Sequence, residues 1–210
     1  EKIGRFYPDH FVLKDVVPGD IVVAAACGGF TYMQQPFAQF KYLLEARPAG
    51  VVDGTSDTAR ITQNYDDDSL GYVSTAFLDA HAVNVAGTDL GARLSGYSST
   101  TGWKKGEYTV DRVDTAFSRN AGASGLEDGP YSTLQIGISI SSSPAEQDGR
   151  DFLSADMNMK ADDVTCTPST DCTAMKLSGT QDLRYGRLFV QSAHGPETDS
   201  LSVPMVVQYW

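Results

Sequence analysis

Three histidines, twenty-seven carboxylates and a handful of aromatics flanked by glycine and lysine are the side chains of this sequence that could do chemistry. His10, His81 and His194 lie far apart along the chain. A Ser-His-Asp relay needs its members to meet in space rather than in sequence, so that separation excludes nothing. No GxSxG elbow or other nucleophile signature accompanies them, however. His10 stands in Pro8-Asp9-His10-Phe11 at the entry to an apolar run, a place for a structural hydrogen bond. His194 opens a turn, His194-Gly195-Pro196. The expectation is a chain that is not an enzyme, with no catalytic residue assigned.

The carboxylates offer hard oxygen ligands. Asp66-Asp67-Asp68 is one group, and Glu146, Asp148, Asp151, Asp156 and Asn158 form another. Calcium takes six to eight such oxygens, so Asp148, Asp151, Asp156 and Asn158 are the candidate metal ligands, and no cofactor other than Ca²⁺ is expected. Neither group fits the EF-hand pattern, of which Glu146-Gln147-Asp148-Gly149 is only a fragment. The competing reading is solvated turns, where Asp bonds its own backbone. Paired carboxylates also cleave glycosides, but sequence sets no distance between them.

Tyr97, Trp103 and Tyr108 cluster around a Gly- and Ser-rich stretch. Exposed rings of this type stack on sugar faces or anchor a protein partner, which makes these three the candidate ligand-binding residues. For Tyr108 the core reading is the stronger one. Trp103, between Gly102 and two lysines, stays open to both.

Cys166 and Cys172 bracket a short polar loop, Thr167-Pro168-Ser169-Thr170-Asp171. That spacing suits a disulfide better than a metal site, since it is not CxxC and further soft ligands are missing. A disulfide implies an oxidising compartment. Cys27 is left over, either buried and free or paired with a segment outside these residues.

Strands must position all of these groups. Leu134, Ile136, Ile138 and Ile140 fall on alternate positions, which puts them on one face of a pleated strand. Phe40, Tyr42, Leu44 and Ala46 alternate likewise, and so do Leu201, Val203, Met205, Val207 and Tyr209, where Pro204 marks an edge or bulge. Further strands are expected over 9–16, 20–26, 72–80, 90–96, 107–113 and 184–192. Glycine- and Asp-rich turns separate them, as at Asp53-Gly54, Asp128-Gly129-Pro130 and Ser178-Gly179. The fold expected is all-β: an antiparallel β-sandwich, immunoglobulin-like, with long decorated loops. It forms a single unit over 1–210 with a candidate subdomain junction near 98–106. Strands 184–192 and 201–209 should close it as a hairpin, and the aromatic-rich N-terminal region (Phe6, Tyr7, Phe11, Phe30, Tyr32, Phe37, Phe40) should fill the core.

The chain carries a formal charge of −11 and is 41% hydrophobic. Such a surface repels phosphate backbones, which argues against nucleic acid as a partner. The longest apolar run, Ile21 to Cys27, is far too short to span a bilayer. Without an initial Met or a signal peptide, the chain reads as mature or excised.

Several short motifs occur in a telling order: Gly4-Arg5-Phe6-Tyr7-Pro8-Asp9-His10-Phe11, Phe30-Thr31-Tyr32-Met33-Gln34-Gln35-Pro36-Phe37, Gln63-Asn64-Tyr65, Asp128-Gly129-Pro130-Tyr131, Asp156-Met157-Asn158, Leu183-Arg184-Tyr185-Gly186-Arg187-Leu188 and Val203-Pro204-Met205-Val206-Val207-Gln208-Tyr209-Trp210. Together they resemble the domain in the C-terminal part of MshQ-like proteins of the MSHA type IV pilus machinery. The resemblance implies a bacterial cell-surface, extracellular location and a role in adhesion or assembly, and it carries over no catalytic residue. The Asp66-Asp67-Asp68 run and the Cys166–Cys172 loop fall outside any shared pattern. The leading expectation is a structural or adhesive module whose partners are other domains or subunits of a surface assembly. A glycan-binding module, calcium-assisted or not, is the alternative, and a subunit of an extracellular filament is a further one.

Overall fold

The computed structural model describes residues 8–14, 21–50, 60–66, 78–120, 128–141 and 151–209. Among them the strands are β1 (His10–Lys14), β2 (Val22–Ala24), β3 (Thr31–Tyr32), β4 (Gln39–Arg47), β5 (Leu78–Val83), β6 (Leu94–Ser95), β7 (Glu107–Arg112), β8 (Ala116–Phe117), β9 (Tyr131–Ile140), β10 (Met175–Lys176), β11 (Gln181–Arg184), β12 (Gly186–Val190) and β13 (Met205–Tyr209). The protein is an antiparallel β-sandwich, with its two main sheets built on the two longest strands.

β4 is the spine of the first sheet. β1 and β2 pair with it one after the other along one edge, and β7 pairs along the other. Phe40, Tyr42, Leu44 and Ala46 are all fully buried, as their alternation requires. β9 is the spine of the second sheet. It pairs antiparallel with β5, β10 and β11, and β11 in turn pairs parallel with β3. Leu134, Ile136 and Ile138 meet the β4 face in one continuous core together with Phe11, Phe37, Trp103, Tyr108 and Phe117. These pairings establish the sandwich and not an immunoglobulin order of strands.

The opposite faces differ in kind. On the outer face of the first sheet Glu45 and Arg47 are 2% exposed and Lys14 is 8% exposed, so a small ionic group is buried there. On the outer face of the second, Val83 packs with Met159 and Ala174 in a separate small core.

Two sequence expectations need correction. The strand expected over 90–96 is instead a single 3₁₀ turn, Gly91–Arg93, followed by the two-residue β6. A Cβ on Gly91 would lie 1.9 Å from the Ala80 carbonyl oxygen, so the chain runs hard against β5 and coils as it leaves. The second concerns the closing hairpin. β12 and β13 do pair, from Gly186↔Tyr209 to Val190↔Met205. Yet Leu188, Met205 and Val207 are 60%, 65% and 63% exposed. Alternation forecast a strand over 201–209, of which Met205–Tyr209 forms, but gave it a core that the protein does not supply.

The disulfide joins Cys166 and Cys172 as expected. Within its loop the Thr167 amide donates to Asp171 Oδ1 at 2.7 Å, and the Asp171 amide returns a bond to the Thr167 carbonyl. Replacing both cysteines with serine should cost about 2 kcal/mol, because the closed loop is short and little unfolded-state entropy is removed. Urea titrations of the oxidised protein and of the double variant check this.

Candidate functional site

The three aromatics expected to bind ligand do not share one surface. Trp103 and Tyr108 are fully buried, with ring centroids 5.5 Å apart, and only Tyr97 is half-buried. The Tyr108 hydroxyl accepts the Ser99 amide, and the Tyr42 hydroxyl donates to the Tyr97 carbonyl at 2.6 Å. Gly102 (φ +67°), Lys105 (φ +51°) and Gly106 (φ +81°) bend the backbone so that the indole turns inward while both lysines face solvent. A sugar has no Trp103 or Tyr108 face to stack on.

The acidic residues are described only in part. Asp148, Glu146, Asp67 and Asp68 lie outside the described residues. Asp151 is exposed, its carbonyl accepts the Phe11 amide, and partial burial raises its carboxyl above the ordinary value. Asn158 Oδ1 is taken by the Lys176 amide at 2.8 Å, and Asp66 Oδ2 accepts the Lys105 amide. Among the described residues no three His, Cys, Asp or Glu side chains converge as a metal site.

Among the described residues, two further polar clusters stand out besides the buried Lys14–Glu45–Arg47 group. In the first, the Arg93 guanidinium bonds both Asp128 oxygens, the Tyr131 hydroxyl and the Ser118 carbonyl, and lies over the Phe117 ring at 4.3 Å. Burial alone would raise the Asp128 carboxyl, but Arg93, the Asn120 amide and Tyr131 together hold it below its ordinary value. Arg93 spends its donors on this chain, and so does the work of a staple rather than a site.

The second cluster is arranged differently. His81 on β5 and Ser139 on β9 are diagonal neighbours, since His81 pairs with Gly137 and Asp79 with Ser139. Gly137 presents no side chain opposite His81. His81 Nε2 lies 2.7 Å from Ser139 Oγ, and Nδ1 lies 2.7 Å from Asp89 Oδ2. Asp89 sits beyond the turn at 84–88, which folds back along β5 through the Leu90 amide to the Ala82 carbonyl. Its Oδ1 accepts the Ala82 and Gly91 amides at 3.1 and 2.8 Å. Burial would raise this carboxyl, but the His81 bond and the two amides outweigh it and hold it below the ordinary value. Asp89 is therefore ionised and offers no proton, so in the neutral ring Nδ1 carries the hydrogen and Nε2 accepts from the serine. Periodicity could place His81 and Ser139 on strands. It could not supply the register that brings together residues 58 positions apart.

The third feature is the β12–β13 ribbon. Leu188, Val190, Met205, Val207 and Tyr209 share one face, all more than half exposed, while Phe189 and Val206 occupy the other. The ribbon is fixed at its root. Tyr209 stacks on Phe30, Arg184 lies over both rings, and Arg119 donates to the Gly186 carbonyl at 2.6 Å. Cys27 is free but exposed, not buried as a free thiol was expected to be, with Sγ 3.4 Å from Gln35 Oε1. No helix among the described residues is long and apolar enough to cross a membrane.

These features define a β-sandwich module with an apolar ribbon extending from it. Residues 1–173 match the third domain of DUF6701, and the chain belongs to that family. No curated protein and no solved structure matches it.

Proposed function

We propose that the chain is a structural or adhesive module of a multidomain bacterial cell-surface protein, associated with a type IV pilus, whose main work is interfacial rather than catalytic. The observation that carries this is the ribbon. It lies beyond residue 173, where the family match ends, and it keeps Leu188, Val190, Met205 and Val207 of one face largely in water. A patch of that kind is the mark of an interaction surface. The occupant is the adjoining domain of the same protein. A domain counted as third belongs to a series, and a ribbon rooted in this core, with one apolar face and Phe189 and Val206 on the other, suits the layer between two modules. The order of short motifs from Gly4 to Trp210 supports the MshQ-like, extracellular placement, and the disulfide supports an oxidising compartment.

Hydrogen exchange on this 210-residue chain and on a longer protein that includes the adjoining domain tests the reading. Amides of β12 and β13 should exchange at least tenfold more slowly in the longer protein. Equal exchange in the two would overturn it. A dimer of the 210-residue chain that Val207→Asp dissolves would assign the ribbon to a second copy instead, and longer chains of copies would point to a filament.

A further inference from the structure

We propose that Ser139, His81 and Asp89 form a nucleophilic relay that accepts small acyl groups from carboxylic esters, an activity beyond the interfacial role given above. The hydrogen bonds run in the order such a relay requires: carboxylate to Nδ1, and Nε2 to hydroxyl, both at 2.7 Å. Two further details separate it from an incidental contact. The carboxylate is itself held by two backbone amides, so its free oxygen is aimed at the ring. The imidazole side chain is only 14% exposed, on the same face as buried Val83, which keeps bulk water from competing for Nε2. Ser139 is half-buried on a sheet face, a position open to a short acyl group on a larger carrier.

In the first step Ser139 Oγ bonds the ester carbonyl carbon while its proton passes to His81 Nε2. The carbon–oxygen bond to the alcohol then breaks, and the alcohol leaves with the proton from Nε2. Water attacks the acyl-serine by the same proton path, releasing the carboxylic acid and restoring the hydroxyl. Asp89 is a positioning residue: it fixes the tautomer and steadies the imidazolium. Asp79 stands directly across from Ser139 and is exposed, so its negative charge opposes an oxyanion forming there. That makes the site slow toward esters, and relief of the charge should quicken it.

A fluorophosphonate probe on the 210-residue chain reads the serine directly, since Oγ displaces fluoride at phosphorus. One adduct is expected, mapped by peptide mass to Ser139, forming roughly 10²-fold faster than in His81→Gln. Ser139→Ala should lose the adduct. Asp89→Asn should lose most of the rate and Asp89→Glu recover part of it, while Asp79→Asn should raise it. p-Nitrophenyl acetate should be hydrolysed in the same rank order. No adduct on Ser139, or equal rates in the parent and His81→Gln, would overturn the proposal. Should His81→Gln fail to fold, Ser139→Ala at its half-buried position decides alone, because a purely structural bridge leaves no adduct to lose.

Discussion

Glu45→Ala should lower the unfolding free energy by about 3–5 kcal/mol, the cost of removing a buried carboxylate that two buried cations share. Glu45 is bonded to Arg47 and lies 3.9 Å from Lys14 Nζ, and the three side chains are between 2% and 10% exposed. All three point to the outer face of the first sheet, opposite the Phe40-Tyr42-Leu44-Ala46 face. Removing Glu45 takes a shared anionic partner from two cations where water reaches poorly. Replacing the whole group with apolar side chains of similar volume removes both the attraction and the desolvation penalty. A triple variant Lys14→Met, Glu45→Leu, Arg47→Met should therefore lie within about 1–2 kcal/mol of the parent. Glu107 is in register with Glu45 across β7 and is half-buried. A double-mutant cycle with Glu107→Gln measures how far it compensates. Urea denaturation followed by tryptophan fluorescence gives all four values. A loss under 1 kcal/mol for Glu45→Ala would show that the ion pairing at this face is not what the burial implies.

Strand alternation made the two spines legible from sequence. Phe40 to Ala46 and Leu134 to Ile138 each put apolar groups at every second position, and a pleated strand has no other way to use that pattern. The same rule is silent on what covers a face. Leu201 to Tyr209 reads like β9, yet Leu201, Val203, Met205 and Val207 stay largely in water, because alternation reports segregation and not burial. The disulfide was legible because its loop is local. The His81–Asp89–Ser139 contact was not, since it depends on the register of β5 against β9, and turn chemistry alone does not set that register across a long connection. Trp103 shows a third kind of failure. Its neighbours Gly102, Lys104 and Lys105 suggest a solvated loop, and they are indeed at a turn. Positive φ at residues 102, 105 and 106 sends the intervening side chain inward, and composition carries no sign of that.

Trp103 is accordingly where the glycan reading and the packing reading diverge most. Its indole is fully buried, with ring centroids of Tyr65, Phe11 and Tyr108 at 4.9, 5.3 and 5.5 Å. Phe11 comes from β1, Tyr108 from β7 and Tyr65 from the segment 60–66, so one side chain ties three separated parts of the chain to the core. Truncation to alanine removes the aromatic contacts and leaves a cavity that rings on three sides cannot collapse to fill. The expected loss is about 3–5 kcal/mol. Trp103→Phe keeps an apolar ring in the same place and should recover at least half of it. Urea titration followed by circular dichroism provides the measurement, since fluorescence would lose its buried reporter. A surface role makes the opposite forecast: near-parent stability for Trp103→Ala, within about 0.5 kcal/mol as for ordinary exposed substitutions, with any loss confined to ligand binding. The two outcomes differ by several kcal/mol, so a single titration separates a packing residue from a sugar platform.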